Sequence, residues 1–139
     1  MTIKESQIQL VKYRLKQAEE SISEANHLLS GKESTRSIIN RLYYSMFYSV
    51  LALLVFEPYT FSKHSGVISY FNKTFIKEGI FQKDLGRWLN RAFEMRQESD
   101  YREYVEVTYE EVAPYIEKAE NFLEQVKNYL SEKRGLIIS

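Results

Sequence analysis

Arg96, Asp100 and Tyr101 form the first group of residues whose types and spacing could do chemistry. At 100° per residue, Arg96 falls on the apolar face of the helix that its neighbours predict, and Asp100 follows one turn later on that face. A guanidinium held by a carboxylate can present its planar fork to a phosphate. A buried ion pair that only fixes helix packing is the alternative, and the residues leave both interpretations open.

A second group contains Asn40, Arg41, Tyr43 and Tyr44, with Tyr48 one turn beyond Tyr44. On a helix, the side chains of Arg41, Tyr44 and Tyr48 fall within about 60° of one another, so a cation and two phenols share one strip of an otherwise apolar helix. Asn40, Arg41 and Tyr44 are therefore candidate phosphate-binding residues. In the alternative interpretation the tyrosines pack in the core, with their hydroxyls at its edge.

Lys63 and His64 form a third group, at the predicted start of a helix that Ser62 would cap. Cations are normally disfavoured there, because the free backbone N–H groups already carry partial positive charge. Their presence indicates an anion such as phosphate as the missing partner, although a solvated loop with accidental charges gives the same pattern. Residues 61–102 hold 8 basic and 5 acidic residues, whereas residues 103–139 hold 4 basic and 8 acidic. The middle of the chain is thus where a polyanion would bind.

Composition excludes several classes of protein. Lys plus Arg equals Asp plus Glu at 19 each, which argues against an overall basic nucleic-acid binder. There is no cysteine and there are only two histidines, so we expect neither a metal site nor a disulfide, and the reducing cytoplasm is the expected location. The usual nucleotide, metalloprotease and hydrolase motifs are absent, and no cofactor is expected. The longest uncharged stretch, residues 42–56, is too short to cross a membrane.

Apolar periodicity predicts five helices that would position these groups. They cover residues 8–29, 34–57, 62–79 and 82–101, and a last helix begins at Thr108 or, with Pro114 in its first turn, at Ala113. Short connections between them predict an all-α, up-and-down antiparallel bundle of four to five helices. The bundle would be one domain over residues 1–134, followed by a loose tail at 135–139 that could dock on a partner. The second helix is apolar around nearly its whole circumference, so we expect a dimer to form partly through it.

Three motifs in this order resemble those of the small stand-alone HEPN-domain proteins of prokaryotes: Asn40-Arg41-x-Tyr43-Tyr44-x-x-Phe47, Ser62-Lys63-His64-x-Gly66 and Arg96-x-x-x-Asp100-Tyr101. The resemblance covers nearly the whole chain. It implies a helical bundle, a homodimer, and a minimal nucleotidyltransferase as protein partner in a toxin–antitoxin-like pair. It also implies metal-independent ribonuclease activity, in which an Arg acts with a His a few residues later.

The chain departs from that catalytic pattern, because Tyr101, Arg102 and Glu103 stand where the histidine is expected. Transfer of a proton near neutral pH suits His, whereas a tyrosine with a pKa near 10 is a poor base. His64 could replace the missing group if the fold brings it beside Arg96.

Three functions follow as hypotheses. The first is a nucleotide- or RNA-binding protein that works with a nucleotidyltransferase and holds phosphate with Asn40, Arg41, Tyr44, Lys63, His64, Arg96 and Asp100. The second is a metal-independent ribonuclease toxin with Arg96, Tyr101 and His64 as catalytic residues. The third is a non-catalytic dimeric assembly module.

Overall fold

A computed structural model describes residues 4–101 and 107–138 of the chain. Within these residues the secondary structure is entirely helical, which confirms the predicted all-α bundle. None of the described helices is both long and apolar enough to span a membrane. The helices are α1 (Glu5–Ser30), α2 (Thr35–Leu54), α3 (His64–Phe71), α4 (Lys83–Ser99), α5 (Tyr109–Val112) and α6 (Pro114–Arg134).

The second helix, α2, is the centre of the bundle. It packs most extensively against α1 and also contacts α3, α4, α5 and α6. Of its 20 residues, 13 are buried, so its apolar circumference is covered by helices of the same chain. The expectation that this helix serves a dimer interface therefore loses its basis, because its apolar faces are already used within the chain. The strip of Arg41, Tyr44 and Tyr48 is half-buried and stays accessible.

The sequence predicted several helix ends correctly, although α2 ends at Leu54 rather than at residue 57. The Ser34 side chain accepts a hydrogen bond from the Ser37 backbone N–H and caps α2. Thr108 caps the short α5 in the same way, and Pro114 opens α6 directly afterwards, so both alternatives for the last helix occur. The prediction that Ser62 caps the third helix is wrong. The N-cap of α3 is Lys63, one residue later, and its side chain makes no capping hydrogen bond.

The predicted third helix is divided in two. After α3 the chain continues as one π-helical turn, Asn72–Ile76, in which Phe75 is buried. Gly79 then reverses the chain with a φ of 77°, a conformation that side chains with a Cβ rarely adopt. Near the end of the chain, Gly135 (φ 65°) ends α6, and Leu136 folds back into the core while Ile137 is 89% exposed. The tail is thus partly docked on its own bundle.

Candidate functional site

Arg96 lies against two tyrosine rings that α2 presents to α4. Its Cζ atom is 5.2 Å from the ring centroids of both Tyr43 and Tyr44. Its Nη2 donates a hydrogen bond of 3.2 Å to the Tyr44 hydroxyl. This position follows from the helix periodicity, since Arg96 falls on the inner face of α4 and the guanidinium must find partners there. The two rings and one phenol oxygen provide those partners.

His64 reaches the same place from the start of α3. Its Nδ1 lies 2.9 Å from the Tyr43 hydroxyl oxygen, and its ring stacks on Phe47 with the ring centroids 4.1 Å apart. His64 is half-buried, and Tyr43 has no exposed surface. His64 and Arg96 therefore both contact one buried phenol, that of Tyr43. The sequence predicted both residues but could not show that they meet.

Burial lowers the pKa of His64, and the positive charge of Arg96 lowers it further. At neutral pH the imidazole is accordingly uncharged and can accept a proton. Burial raises the pKa of Tyr43, so its side chain remains a hydroxyl. Either partner can donate in the hydrogen bond between them, according to the tautomer of the imidazole. When Nδ1 donates, the second ring nitrogen of His64 is left as the base.

Arg41 is the second cation of the site. Its Cζ lies 5.4 Å from the centroid of the Tyr44 ring, so the guanidinium groups of Arg41 and Arg96 approach the same ring. Asn40 Oδ1 accepts hydrogen bonds from Arg41 Nε at 3.2 Å and from Nη2 at 2.7 Å, and Glu24 lies 3.8 Å from Nη1. Arg41 is thus oriented by a neighbour and partly neutralised by a carboxylate. We call Arg41, Tyr43, Tyr44, His64 and Arg96 the tyrosine cluster.

The remaining candidate residues lie outside the tyrosine cluster. Lys63 is exposed at the N-cap of α3, next to His64. Asp100 is exposed at the C-cap of α4, and within the described parts of the chain it forms no ion pair with Arg96. The interpretation of these two residues as a buried pair is therefore wrong. Tyr101 is 69% exposed, just beyond the end of α4. His27, the other histidine, lies on the surface.

Sequence reasoning missed the roles of Tyr43 and Phe47. Tyr43 belongs to the second group of candidate residues and Phe47 to a motif, but the sequence alone assigns neither of them a role in the site, and both are buried. Their spacing of four residues puts them one above the other on α2, and the two rings stack with centroids 5.6 Å apart. Together they form the surface on which His64 lies. That spacing was visible in the sequence, but only the path of residues 55–63 brings His64 onto it.

A model of the HEPN domain matches residues 11–129, most of the chain. The chain belongs to the HEPN family. A UPF0332 protein of Thermotoga maritima is 42% identical over 88% of this HEPN chain and 92% of its own length. Two proteins of Methanocaldococcus jannaschii are also similar. The protein named "Putative toxin MJ0142" is 38% identical over 88% of this chain and 82% of its own. The one named "Putative toxin MJ0605" is 35% identical over 83% and 84%.

In this HEPN domain, the tyrosine cluster brings together groups that can bind phosphate and a group that can accept a proton. Two guanidinium groups on a shared ring can hold a phosphate, because each presents a planar set of N–H donors. A neutral imidazole hydrogen-bonded to a buried phenol can accept a proton. Both are available at the surface of the bundle, where α2, α3 and α4 meet.

Proposed function

We propose that this HEPN protein binds the phosphate of an RNA or nucleotide at the tyrosine cluster, as the toxin-like member of a pair with a nucleotidyltransferase. The observation that carries the proposal is the approach of Arg41 and Arg96 to the one ring of Tyr44. Two positive charges beside one ring attract a phosphate group, and a bound anion lessens the repulsion between them. The names of the two Methanocaldococcus relatives support the toxin-like role.

Arg96 is the better placed of the two cations to bind a ligand. Arg41 already has Glu24 and Asn40 as partners, whereas the partners of Arg96 within the described residues are the two tyrosines. A half-buried guanidinium without a carboxylate retains most of its capacity to attract phosphate. Lys63 and Asn40 then act at the edge of the site. We expect Asp100 and Tyr101, which are more exposed, to contribute less.

The neutral state of His64 favours a second candidate function, cleavage of RNA without a metal ion. In this mechanism His64 takes the proton of the ribose 2′-hydroxyl, whose oxygen attacks the adjacent phosphorus while Arg96 holds the phosphate oxygens. The P–O bond to the next nucleoside breaks, leaving a cyclic phosphate and a 5′-oxygen that takes up a proton from water. We propose His64 rather than Tyr101 as the base, since its pKa lies below neutral pH.

Homodimer formation also belongs to the proposal. The tyrosine cluster opens at the surface, so a second copy that covers it could exclude water from the bound phosphate. The apolar faces of α2 are buried within the chain, and such a dimer must therefore use other surfaces. Sedimentation of the purified protein at several concentrations measures this directly.

Binding is tested with a short fluorescent single-stranded RNA, titrated at several salt concentrations. We expect Arg96→Gln to weaken binding roughly 10- to 100-fold, the effect of one charge-assisted contact, and to reduce the salt dependence by about one phosphate contact. Arg134→Gln is the matched control, because Arg134 also lies over an aromatic ring but is paired with Glu57. Equal affinity of the wild type and Arg96→Gln would contradict the proposal, and an unfolded Arg96→Gln variant would instead favour a purely structural role.

Cleavage is tested on the same RNA in EDTA, with the products separated by gel electrophoresis. If the second candidate function holds, wild-type protein cleaves the RNA and His64→Gln does not, while both bind it. Tyr101→Phe is the control and should cleave at the wild-type rate. Cleavage that survives in His64→Gln but is lost in Tyr101→Phe would transfer the catalytic role to Tyr101.

A further inference from the structure

A groove of about 310 Å³ lies beside the tyrosine cluster, between α1, the end of α2 and the segment that leads into α3. Its lining is mainly apolar and includes two exposed aromatic side chains; it is formed in part by Leu10, Leu51, Val55, Tyr59, Phe61 and Val67. Tyr59 is 59% exposed and Phe61 is 36% exposed. Large aromatic side chains open to solvent next to an apolar groove are typical of a surface that binds a partner.

Phe61 is held in a fixed position at the edge of this groove. Its ring lies over Gly66, where a Cβ atom would come within 3.2 Å of Phe61 Cδ1. The ring also packs on Tyr70 with the centroids 5.2 Å apart, and Tyr59 lies edge-on to the same Tyr70 at 5.7 Å. Tyr70 thus packs against both exposed rings. This explains the glycine two residues after His64, since any side chain there would displace Phe61.

Two residues that line the groove lie one helical turn from residues at the tyrosine cluster. On α3, Val67 lies one turn after His64, and on α2, Leu51 lies one turn after Phe47, the ring on which His64 stacks. From Tyr44 to Leu51 the distance along α2 is about 10 Å, at 1.5 Å per residue. A ligand whose charged group lies at Arg96 can therefore extend its next group into the groove.

The charges of the groove also suit a polyanion. Arg14 contributes to the lining, and Lys63, which is exposed at the start of α3, follows the lining residue Phe61 by two positions in the sequence. Among the described residues that line the groove, Glu57 is the one acidic residue, but its carboxylate accepts a hydrogen bond from the Tyr70 hydroxyl and lies 3.6 Å from Arg134. Its negative charge is therefore directed to partners within the protein.

We propose that the groove binds one unpaired base of a single-stranded RNA whose adjoining phosphate lies at Arg41 and Arg96, an inference that rests on the proposed function. Bases of any identity stack on exposed aromatic rings, and this stacking accounts for much of the affinity of proteins for single strands. The site then distinguishes single-stranded RNA from a duplex, whose bases are already stacked, and from inorganic phosphate.

The experiment compares two probes by NMR titration. One is an adenosine dinucleotide, and the other is its analogue that keeps the ribose and the phosphate but lacks one base. Wild-type protein should bind the dinucleotide roughly 5- to 100-fold more tightly, the range expected for one stacked base. Tyr59→Leu and Phe61→Leu should lose this preference, whereas Tyr59→Phe, which keeps the ring, should retain it. Tyr59 is exposed enough for both of its substitutions to leave the fold intact.

The outcomes separate this inference from the proposed function. If both probes bind equally well and Arg96→Gln abolishes both, the phosphate site stands and the base site is wrong. If neither probe binds to wild-type protein, the proposed function itself fails. Sedimentation of Tyr59→Leu adds a further check, because loss of a wild-type dimer in this variant would show that a second copy of the chain occupies the groove, and would overturn the inference.

Discussion

Arg96 and Arg134 each lie over aromatic rings, but their surroundings differ. Arg134 lies 5.1 Å from the Phe56 ring and 3.6 Å from a Glu57 oxygen, and Glu57 in turn accepts a hydrogen bond of 2.6 Å from Tyr70. Arg96 has two rings and a phenol oxygen, with no carboxylate partner within the described residues. The first arrangement contains its own counter-ion, whereas in the second no carboxylate among residues 4–101 and 107–138 pairs with the arginine. Arginine over an aromatic ring is thus not itself a functional signal, and what distinguishes Arg96 within these residues is the lack of a counter-ion.

The largest difference between the two regions should appear when their central tyrosines are removed. Tyr43 has no exposed surface, whereas Tyr70 is half-buried. Tyr43→Ala should lower the free energy of unfolding by about 3–5 kcal/mol, the usual effect of deleting a buried aromatic ring, and Tyr70→Ala should lower it by about half as much or less. Urea denaturation followed by circular dichroism measures both.

Tyr43→Phe separates the ring from its hydroxyl. It keeps the packing but leaves His64 Nδ1 without its partner, so we expect the free energy of unfolding to fall by about 1 kcal/mol.

The comparison of the two alanine variants has a clear contrary outcome. Equal losses for Tyr43→Ala and Tyr70→Ala would show that the tyrosine cluster does not depend on a buried centre.

The sequence predicted the helices better than it predicted the contacts between them. The apolar stripes and the caps at Ser34 and Thr108 are local features, and they identify α1, α2, α5 and α6 without knowledge of the rest. Arg41 and Arg96 stood out for a similar reason, because each places a charge on or beside an apolar face. No local pattern encodes the contact of His64 with Tyr43, which depends on how the chain turns between α2 and α3.

At Asp100 the sequence predicted a contact that the structure does not contain. Helical periodicity places Asp100 on the same face as Arg96, but this reasoning holds only as far as the helix extends. The helix α4 ends at Ser99, and Asp100 caps it from the solvent side. A difference of one or two residues in the end of a helix is ordinary and moves a side chain from the site to the surface.

A smaller effect is expected from the Glu57–Arg134 pair. Its side chains are 15% and 35% exposed, so the attraction is only partly screened by solvent. Arg134→Gln and Glu57→Gln should each lower the free energy of unfolding by up to about 1 kcal/mol, less at high salt, and a double-mutant cycle should show that the losses are not additive. For Arg96→Gln, the change in the free energy of unfolding should not depend on salt concentration in this way. A larger salt-dependent loss for Arg96→Gln would mean that Arg96 is paired within the protein after all.

The smallest effect concerns the titration of His64. Its pKa lies below the ordinary value of 6.5, first because of burial and then because of Arg96, so Arg96→Gln should raise this pKa toward 6.5 and Arg134→Gln should leave it unchanged. The pKa is measured by NMR of the imidazole protons. Because the unfolded chain binds this proton more readily, stability should fall as the pH drops from about 6.5 through the pKa of the folded state, and should be independent of His64 above that window. His64→Gln should remove this part of the pH dependence. If the pKa of His64 does not respond to Arg96→Gln, the two groups are not electrically coupled, and a shared role for them in proton transfer at a bound phosphate loses its physical basis.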